Sequence, residues 1–319
     1  MQVFAVKHSD EKVVEKSRSG GFFTAISDYI MENNGSVYGC VLTEEMIAKH
    51  IRAVTKVERD KMRGSKYIQS NLGNTFNDVK KDLETGILVL FSGTSCQVAG
   101  LKNFLRKEYD NLVTIDILCS GVPSEKIWLD YLKYMKPNGY SIKTANFRNK
   151  QKYGWREHIE TLVFENKRGR QIEIDSYLFK ELFSKHLIIR PVCYECPFKS
   201  FNHPADFTIG DFWGIEAAVP EFDDDKGCSL VLVNTEKAGI LFSVVSKVLQ
   251  YKESTVDECV QTVLKKPFDL PSDRKAFWEC YSKQGMDAAL RRYGGFNAKK
   301  RIKLFLKTIA YNLKLGNRM

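Results

Sequence analysis

The sequence predicts an α/β protein: a mixed, largely parallel sheet with flanking helices, then a strand-rich second half and a helical, basic C-terminal tail. Three observations predict it. ILVLF at 87–91 is a continuous apolar run of the kind found in strands buried on both faces. The stretch that follows repeats strand, loop and helix at ordinary α/β spacing: ILVLF, SGTS, CQVAGLKNFLRKEY, then VTIDIL, CSGVPS, EKIWLDYLKYMK. After Pro137 the texture changes to short alternating segments around turn signals, and beyond about residue 270 it becomes helical and basic.

Taken in order, Val3–Val6 reads as a short strand, and GFFTAISDYIMENNG as a helix with Phe22, Phe23, Ile26, Tyr29 and Ile30 on one face and Gly35 at its end. VYGCVL and HIRAVTK read as strands, and TFNDVKKDLETG as a helix stopped by Gly86. In the second half, FRNK, REHIETLVFEN and RQIEIDS alternate in strand fashion, YLFKELFSKH is helical, and 190–204 is irregular with three prolines. ADFTIGDFWG and CSLVLVNT give further strands before the helix EKAGILFSVVSKVL. This divides the chain into residues 1–85, 86–255 and a helical basic extension, 256–319.

The 319 residues, 43% of them hydrophobic, are enough for a sizeable core. Early charge in MQVFAVKHSDEK argues against a signal peptide, and the apolar runs are too short to span a bilayer, so a cytoplasmic protein is expected. The net charge of +10 suggests nucleic-acid binding only until its distribution is read. From Ala288 onward there are nine basic residues and no acidic one, which leaves the body almost neutral. No nucleic-acid partner is expected. The tail KKRIKLFLKTIAYNLKL spaces Ile302, Phe305, Leu306, Ile309 and Leu313 helically, which suits either docking on its own domain or peripheral contact with the inner face of a membrane.

Eight cysteines in a reducing compartment read as metal ligands, catalytic thiols or core filler. RPVCYECPF carries Cys193-x-x-Cys196-Pro197, half of a metal or cluster site; zinc, an iron–sulfur cluster, a reversible disulfide and an incidental pair all stay open. FSGTSCQVAGL places Thr94 or Ser95 as helix cap and Cys96 at a helix start. There a thiolate is favoured and an anion can bind, yet only Lys102 follows as a possible phosphate clamp. CSGVPS repeats the pattern with Cys119. Consecutive parallel strands carry Cys96 and Cys119 to one sheet edge, so four thiolates from three segments would suit a 4Fe-4S cluster or a four-thiolate zinc site. KSRSGGFFTA runs Ser-Gly-Gly into a helix, the geometry for a phosphate or pyrophosphate, and RGSKYIQS offers groups that could line a flavin or nucleotide. In ADFTIGDFWG, Asp206 and Asp211 flank a strand.

The series SRSGGFFTA, GSKYIQS, SGTSCQVAGLK, CSGVPS, CYECPFK, ADFTIGDFWGIE and DKGCSLVLVNT resembles, in order and spacing over about residues 16–255, the coenzyme F420 hydrogenase/dehydrogenase beta-subunit family. The resemblance implies an oxidoreductase passing electrons between a 4Fe-4S cluster, FAD and a small-molecule substrate. By position it assigns Cys96, Cys119, Cys193 and Cys196 to the cluster, and Ser19, Gly20, Gly21, Ser65, Lys66, Tyr67, Gln69, Thr94 and Ser95 to the flavin region. Ser95 stands where many members have proline, and Ser120 where many have histidine. The sequence reads as a short member without the N-terminal ferredoxin-like clusters, so a ferredoxin-like partner is expected to deliver electrons. Relatives beside carbohydrate-polymer enzymes imply a sugar-linked step. Two alternatives are a zinc- or cluster-stabilised scaffold docking a membrane assembly, and a thiol-dependent phosphotransfer enzyme centred on Cys96.

Overall fold

The computed structural model describes residues 1–296 and 298–316, with side chains through Tyr311. Eleven strands form two sheets. In chain order they are β1 (Gln2–His8), β2 (Ser36–Leu42), β3 (Ala48–Ala53), β4 (Val89–Thr94), β5 (Leu112–Ile117), β6 (Tyr140–Asn146), β7 (Glu160–Asn166), β8 (Gln171–Ser176), β9 (Phe207–Asp211), β10 (Ser229–Val233) and β11 (Leu249–Ser254). The large sheet has the order β11-β1-β10-β9-β5-β4-β2-β3, and β6-β7-β8 form an antiparallel sheet of their own.

The large sheet is mixed. Its parallel pairings join β2 to β4, β4 to β5 and β5 to β9, and antiparallel pairs flank this block on both sides. Strands 1–3, from the first 85 residues, and strands 4, 5 and 9–11 share this one sheet. Parallel strands must be covered on both faces, and the apolar alternation shows how. On one face Leu90, Val113, Ile115 and Phe207 pack with Phe22, Ile26 and Ile30 of helix Phe22–Glu32 and with Phe242 of helix Glu236–Val245. On the other, Val89, Phe91 and Leu112 meet Val79 and Leu83 of helix Thr75–Glu84 and Val98 and Leu101 of helix Ser95–Leu105.

A second core gathers around Trp128, Tyr131, Phe164 and Phe179 beside the small sheet. Helix Arg274–Tyr293 contributes Phe277, Leu290 and Tyr293 to it, so this part of the C-terminal extension is built into the body. The last helix, Ala298–Gly316, lies on the surface.

Several local expectations need correction. The helix after Cys96 stops at Leu105, because Arg106 turns left-handed at φ 56°. FRNK is no strand: β6 ends at Asn146, and Asn149 caps a single helical turn at Lys150–Tyr153. The first long helix closes at Gly35 as expected, its N–H donating to the Ile30 carbonyl at 2.8 Å, but Asn34 at φ 58° takes the left-handed position. Gly35 is also a close-approach residue, where an added Cβ would lie 2.4 Å from the Leu88 carbonyl.

Gly20 is tighter still. A Cβ there would lie 2.0 Å from the Val6 carbonyl oxygen and 2.7 Å from the Ser229 nitrogen. Gly20→Ala should therefore destabilise the protein by about 3 kcal/mol through overpacking against backbone that cannot yield. Gly239, inside a helix with open space around it, should gain about 0.5 kcal/mol or more on mutation to alanine. Chemical denaturation of the two variants checks both signs.

Candidate functional site at the carboxyl edge of the sheet

Because β2, β4, β5 and β9 are parallel, their carboxyl ends open on one edge, and a cleft of about 1610 Å³ runs along it. Drug-sized ligands occupy pockets of roughly 300–1,000 Å³, so this one has room for a dinucleotide-sized molecule and a second ligand. Cys96 and Cys119 lie in its wall.

The segments that carry the thiols are held by identifiable contacts. Cys96 sits in the first turn of helix Ser95–Leu105, with Thr94 Oγ1 3.1 Å from its sulfur. Cys119 follows β5 and accepts the Gly121 N–H at 3.3 Å. The chain just before Cys193 is stitched to the Cys119 loop by a Pro123–Ile189 bridge and by the Arg190 N–H donating to the Val122 carbonyl at 3.0 Å. Gly121, at φ 108°, permits this approach: Ile189 would lie 3.0 Å from an added Cβ. From helix Arg274–Tyr293, Arg274 donates to the Ile189 carbonyl at 3.2 Å and to Tyr194 Oη at 3.0 Å, pinning the turn Pro191–Glu195 that holds Cys193. As a result Cys119 is within electrostatic reach of Cys96 and Cys193, and Cys196 of Cys96 and Cys193. Burial pushes the Cys119 thiol up to about 12, reinforced by these neighbours and opposed by Lys199.

Lys199 is the residue that motif reading missed. It is 4% exposed, and its Nζ has no hydrogen-bond partner among the described residues. The ammonium rests 3.3 Å above the Phe268 ring and acts on Cys119, Cys193 and Cys196. Burial pulls its pKa down while the sulfurs push it up. A buried ammonium without a hydrogen-bond acceptor is costly, so this position favours nearby negative charge. Among the described residues, no three His, Cys, Asp or Glu side chains are arranged to hold a metal ion.

Of the residues expected around a flavin, Ser19, Gly21, Ser65, Lys66, Tyr67, Gln69 and Thr94 line the cleft. Gly20 and Ser95 do not. Gly20 is buried between strands, and Ser95 turns inward, 3.3 Å from His203 Nδ1, which itself meets Asp116 at 2.9 Å. Lys66 touches the cleft, but its ammonium donates to the carbonyls of Lys61, Met62 and Arg63 at 2.8–3.1 Å, so its three donors are spent. Thr94 and Gln97 form a capping box that fixes the helix start.

The end of the cleft near Gly21 is rich in unmet polar groups. Gly21, at φ 96°, caps helix Phe22–Glu32 with no side-chain bond to its first N–H groups. The Ser17 and Thr24 hydroxyls and the Arg63 Nε around it are buried without partners among the described residues. Nearby, Asp211 at the end of β9 receives Arg148 at 2.6 Å and the Trp155 indole N–H at 2.8 Å, with Arg18 at 3.9 Å. Burial alone would raise the Asp211 pKa, but the charges of Arg148 and Arg18 hold it below its ordinary value. Trp213 stacks on Trp155 at 4.9 Å and presents itself to the cleft beside Arg148. His50 and His158 also line the cleft; burial brings them down to about 4 and about 3, so both are neutral imidazoles.

The fold and site define a class: an α/β protein with a large ligand cleft and a cysteine-rich corner at the carboxyl edge of its sheet. A family profile for the C-terminal part of the coenzyme F420 hydrogenase/dehydrogenase beta subunit matches residues 87–258, more than half of the chain, and the protein belongs to that family. A chain from the F420-reducing [NiFe] hydrogenase complex of Methanosarcina barkeri, studied by xenon derivatization, shares the fold at TM-score 0.52 and 18% identity, covering 92% of this chain and 90% of that one. A search of curated proteins finds no match.

Asp211→Asn should leave Arg148 and Arg18 unpaired and lower stability by about 3 kcal/mol near neutral pH. The Asp211 pKa is lower folded than unfolded, so its contribution is full above the ordinary carboxylate range and is lost as pH falls through the folded value. Thermal melts of both proteins from neutral to acid pH should therefore converge toward the acid end.

Proposed function

We propose that the protein is a flavin-dependent iron–sulfur oxidoreductase, with Cys96, Cys119, Cys193 and Cys196 holding a 4Fe-4S cluster and FAD in the adjoining cleft. The observation that carries this reading is the buried Lys199 ammonium, without a hydrogen-bond acceptor among the described residues and within electrostatic reach of Cys119, Cys193 and Cys196. Such a cation fits an anionic group held by thiolates. Around a single zinc ion, Zn–S bonds of ~2.3 Å place thiolates within ~3.8 Å of one another. Four thiolates would also hold a 4Fe-4S cluster, and the family resemblance favours that group over zinc.

The cleft supports the flavin. Gly21, the open N-terminus of helix Phe22–Glu32, the Ser17 and Thr24 hydroxyls and Arg63 would bind a pyrophosphate. Thr94 and Tyr67 would line the path toward Cys96. When bound, the cluster supplies one-electron transfer and FAD the exchange between one- and two-electron steps. The chain's own part is to hold both, to exclude water through the apolar cleft walls, and to set the charge around them. A small-molecule substrate would enter the same cleft. The substrate we propose is sugar-linked, of the kind carbohydrate-polymer biosynthesis supplies, and it would lie along the part of the cleft lined by Trp213. A ferredoxin-like protein is the proposed electron donor, and the cytoplasm the proposed compartment.

Anaerobic purification should yield iron and acid-labile sulfide in equal amounts together with one flavin per chain; stoichiometric zinc without flavin would overturn the reading. Cys193→Ser should lose the cluster. Lys199→Met should retain iron but lower the cluster's midpoint potential in an EPR-monitored titration, since reduction adds negative charge that the ammonium stabilises. A tenfold change in that equilibrium, ~59 mV, is the expected size. An unchanged potential would show that Lys199 does not act on the cluster.

A further inference from the structure

The last helix sits on the protein the wrong way round for a helix that docks by its apolar side. Residues 300, 304, 307, 308 and 311 share one face and turn toward the body. Lys300 bonds Glu181 at 2.5 Å, Lys307 pairs with Glu157, and Thr308 Oγ1 meets Tyr153 Oη at 3.0 Å. The opposite face carries Ile302, Phe305, Leu306 and Ile309 at i, i+3, i+4 and i+7, and it points into solvent. These four are 59%, 64%, 59% and 39% exposed, and Phe296 just before the helix is 44% exposed. The polar side does the docking and the apolar side is presented.

We infer that this outward stripe is a docking surface for an anionic lipid bilayer, a reading independent of the cofactors. The choice of occupant follows from charge. Arg301 borders the stripe by its position on the helix, as does Lys303, which also pairs with Glu157 at 3.5 Å, and no acidic residue occurs after Asp287. An in-plane helix with a narrow apolar stripe between cations inserts its apolar groups at the acyl boundary while the cations meet anionic headgroups. At 19 residues the helix is ~28 Å long, enough to lie along the surface. No described helix is long and apolar enough to cross a membrane. A second copy of this chain fits poorly, because pairing through the stripe would set one basic border against another. The ion pairs to Glu157 and Glu181 fix the helix to the body, so the stripe is held outward before any membrane is met.

The test is co-sedimentation of the full chain with vesicles of phosphatidylcholine alone and of phosphatidylcholine with phosphatidylglycerol, at low and high salt. Binding should be at least about tenfold stronger to the anionic vesicles at low salt and should weaken at high salt. Phe305→Asp, at an exposed position, should leave the melting temperature and circular dichroism unchanged while reducing vesicle binding about tenfold; Arg301→Glu should reduce it and flatten the salt dependence. Equal binding to both vesicle types, no binding to either, or full binding by the Phe305 variant overturns the proposal. So does a wild-type dimer in light scattering that Phe305→Asp dissolves, since the stripe would then belong to a second copy.

Discussion

The arrangement depends on one short contact, the parallel pairing of β5 with β9. Only three residue pairs make it, Ile115 with Phe207 through Ile117 with Ile209. It is secured by the buried Asp206 carboxylate, which accepts from the Thr114 N–H and hydroxyl at 2.8 Å and from the Thr235 hydroxyl at 2.9 Å. Between the two strands the chain leaves to build the small sheet and its helices, and it must return at this point. That return draws the segment with Cys193 and Cys196 back across the end of β5, where Cys119 waits. A β9 displaced from β5 would still be a strand, but the cysteine corner would not form.

Around that contact, charge is managed by distance and burial. At one end of the cleft, two arginines share the Asp211 carboxylate and leave a cationic surplus beside an open helix N-terminus. Behind Phe268 of the cleft wall, Lys199 lies buried with sulfurs as its prospective counter-charges. Both places are prepared for negative charge, and the neutral histidines of the cleft add none. This electrostatic pattern matches an anionic ligand better than a cationic or apolar one.

Much of the site was legible as motifs. Cys96 and Cys119 could be placed on one edge because consecutive parallel strands leave no other choice. The glycine pair before helix Phe22–Glu32 announced a special backbone, and Gly21 meets the expectation with its left-handed φ. Gly20 adds a packing reason for the same signal: its missing side chain lets the chain lie against the Val6–Ser229 pair of β1 and β10. Lys66 shows a limit of motif reading, since a lysine in a loop looks available until the carbonyls it caps are known.

The sequence by itself determined the α/β class, the strand–helix repeat over 87–136 and the family, because periodicity and motif order are local properties of the chain. Only the tertiary structure decided what depends on neighbours distant in sequence. β6 and β11 became strands through partners that short polar segments do not reveal. Lys199 acquired its meaning from Phe268 and from thiols as far away as Cys119. The tail's periodicity fixed an amphipathic helix, but which side faced the body was settled by Glu157 and Glu181, acids that lie more than a hundred residues upstream. Burial and pairing energies arise from groups brought together in space, and no local pattern encodes which groups those will be.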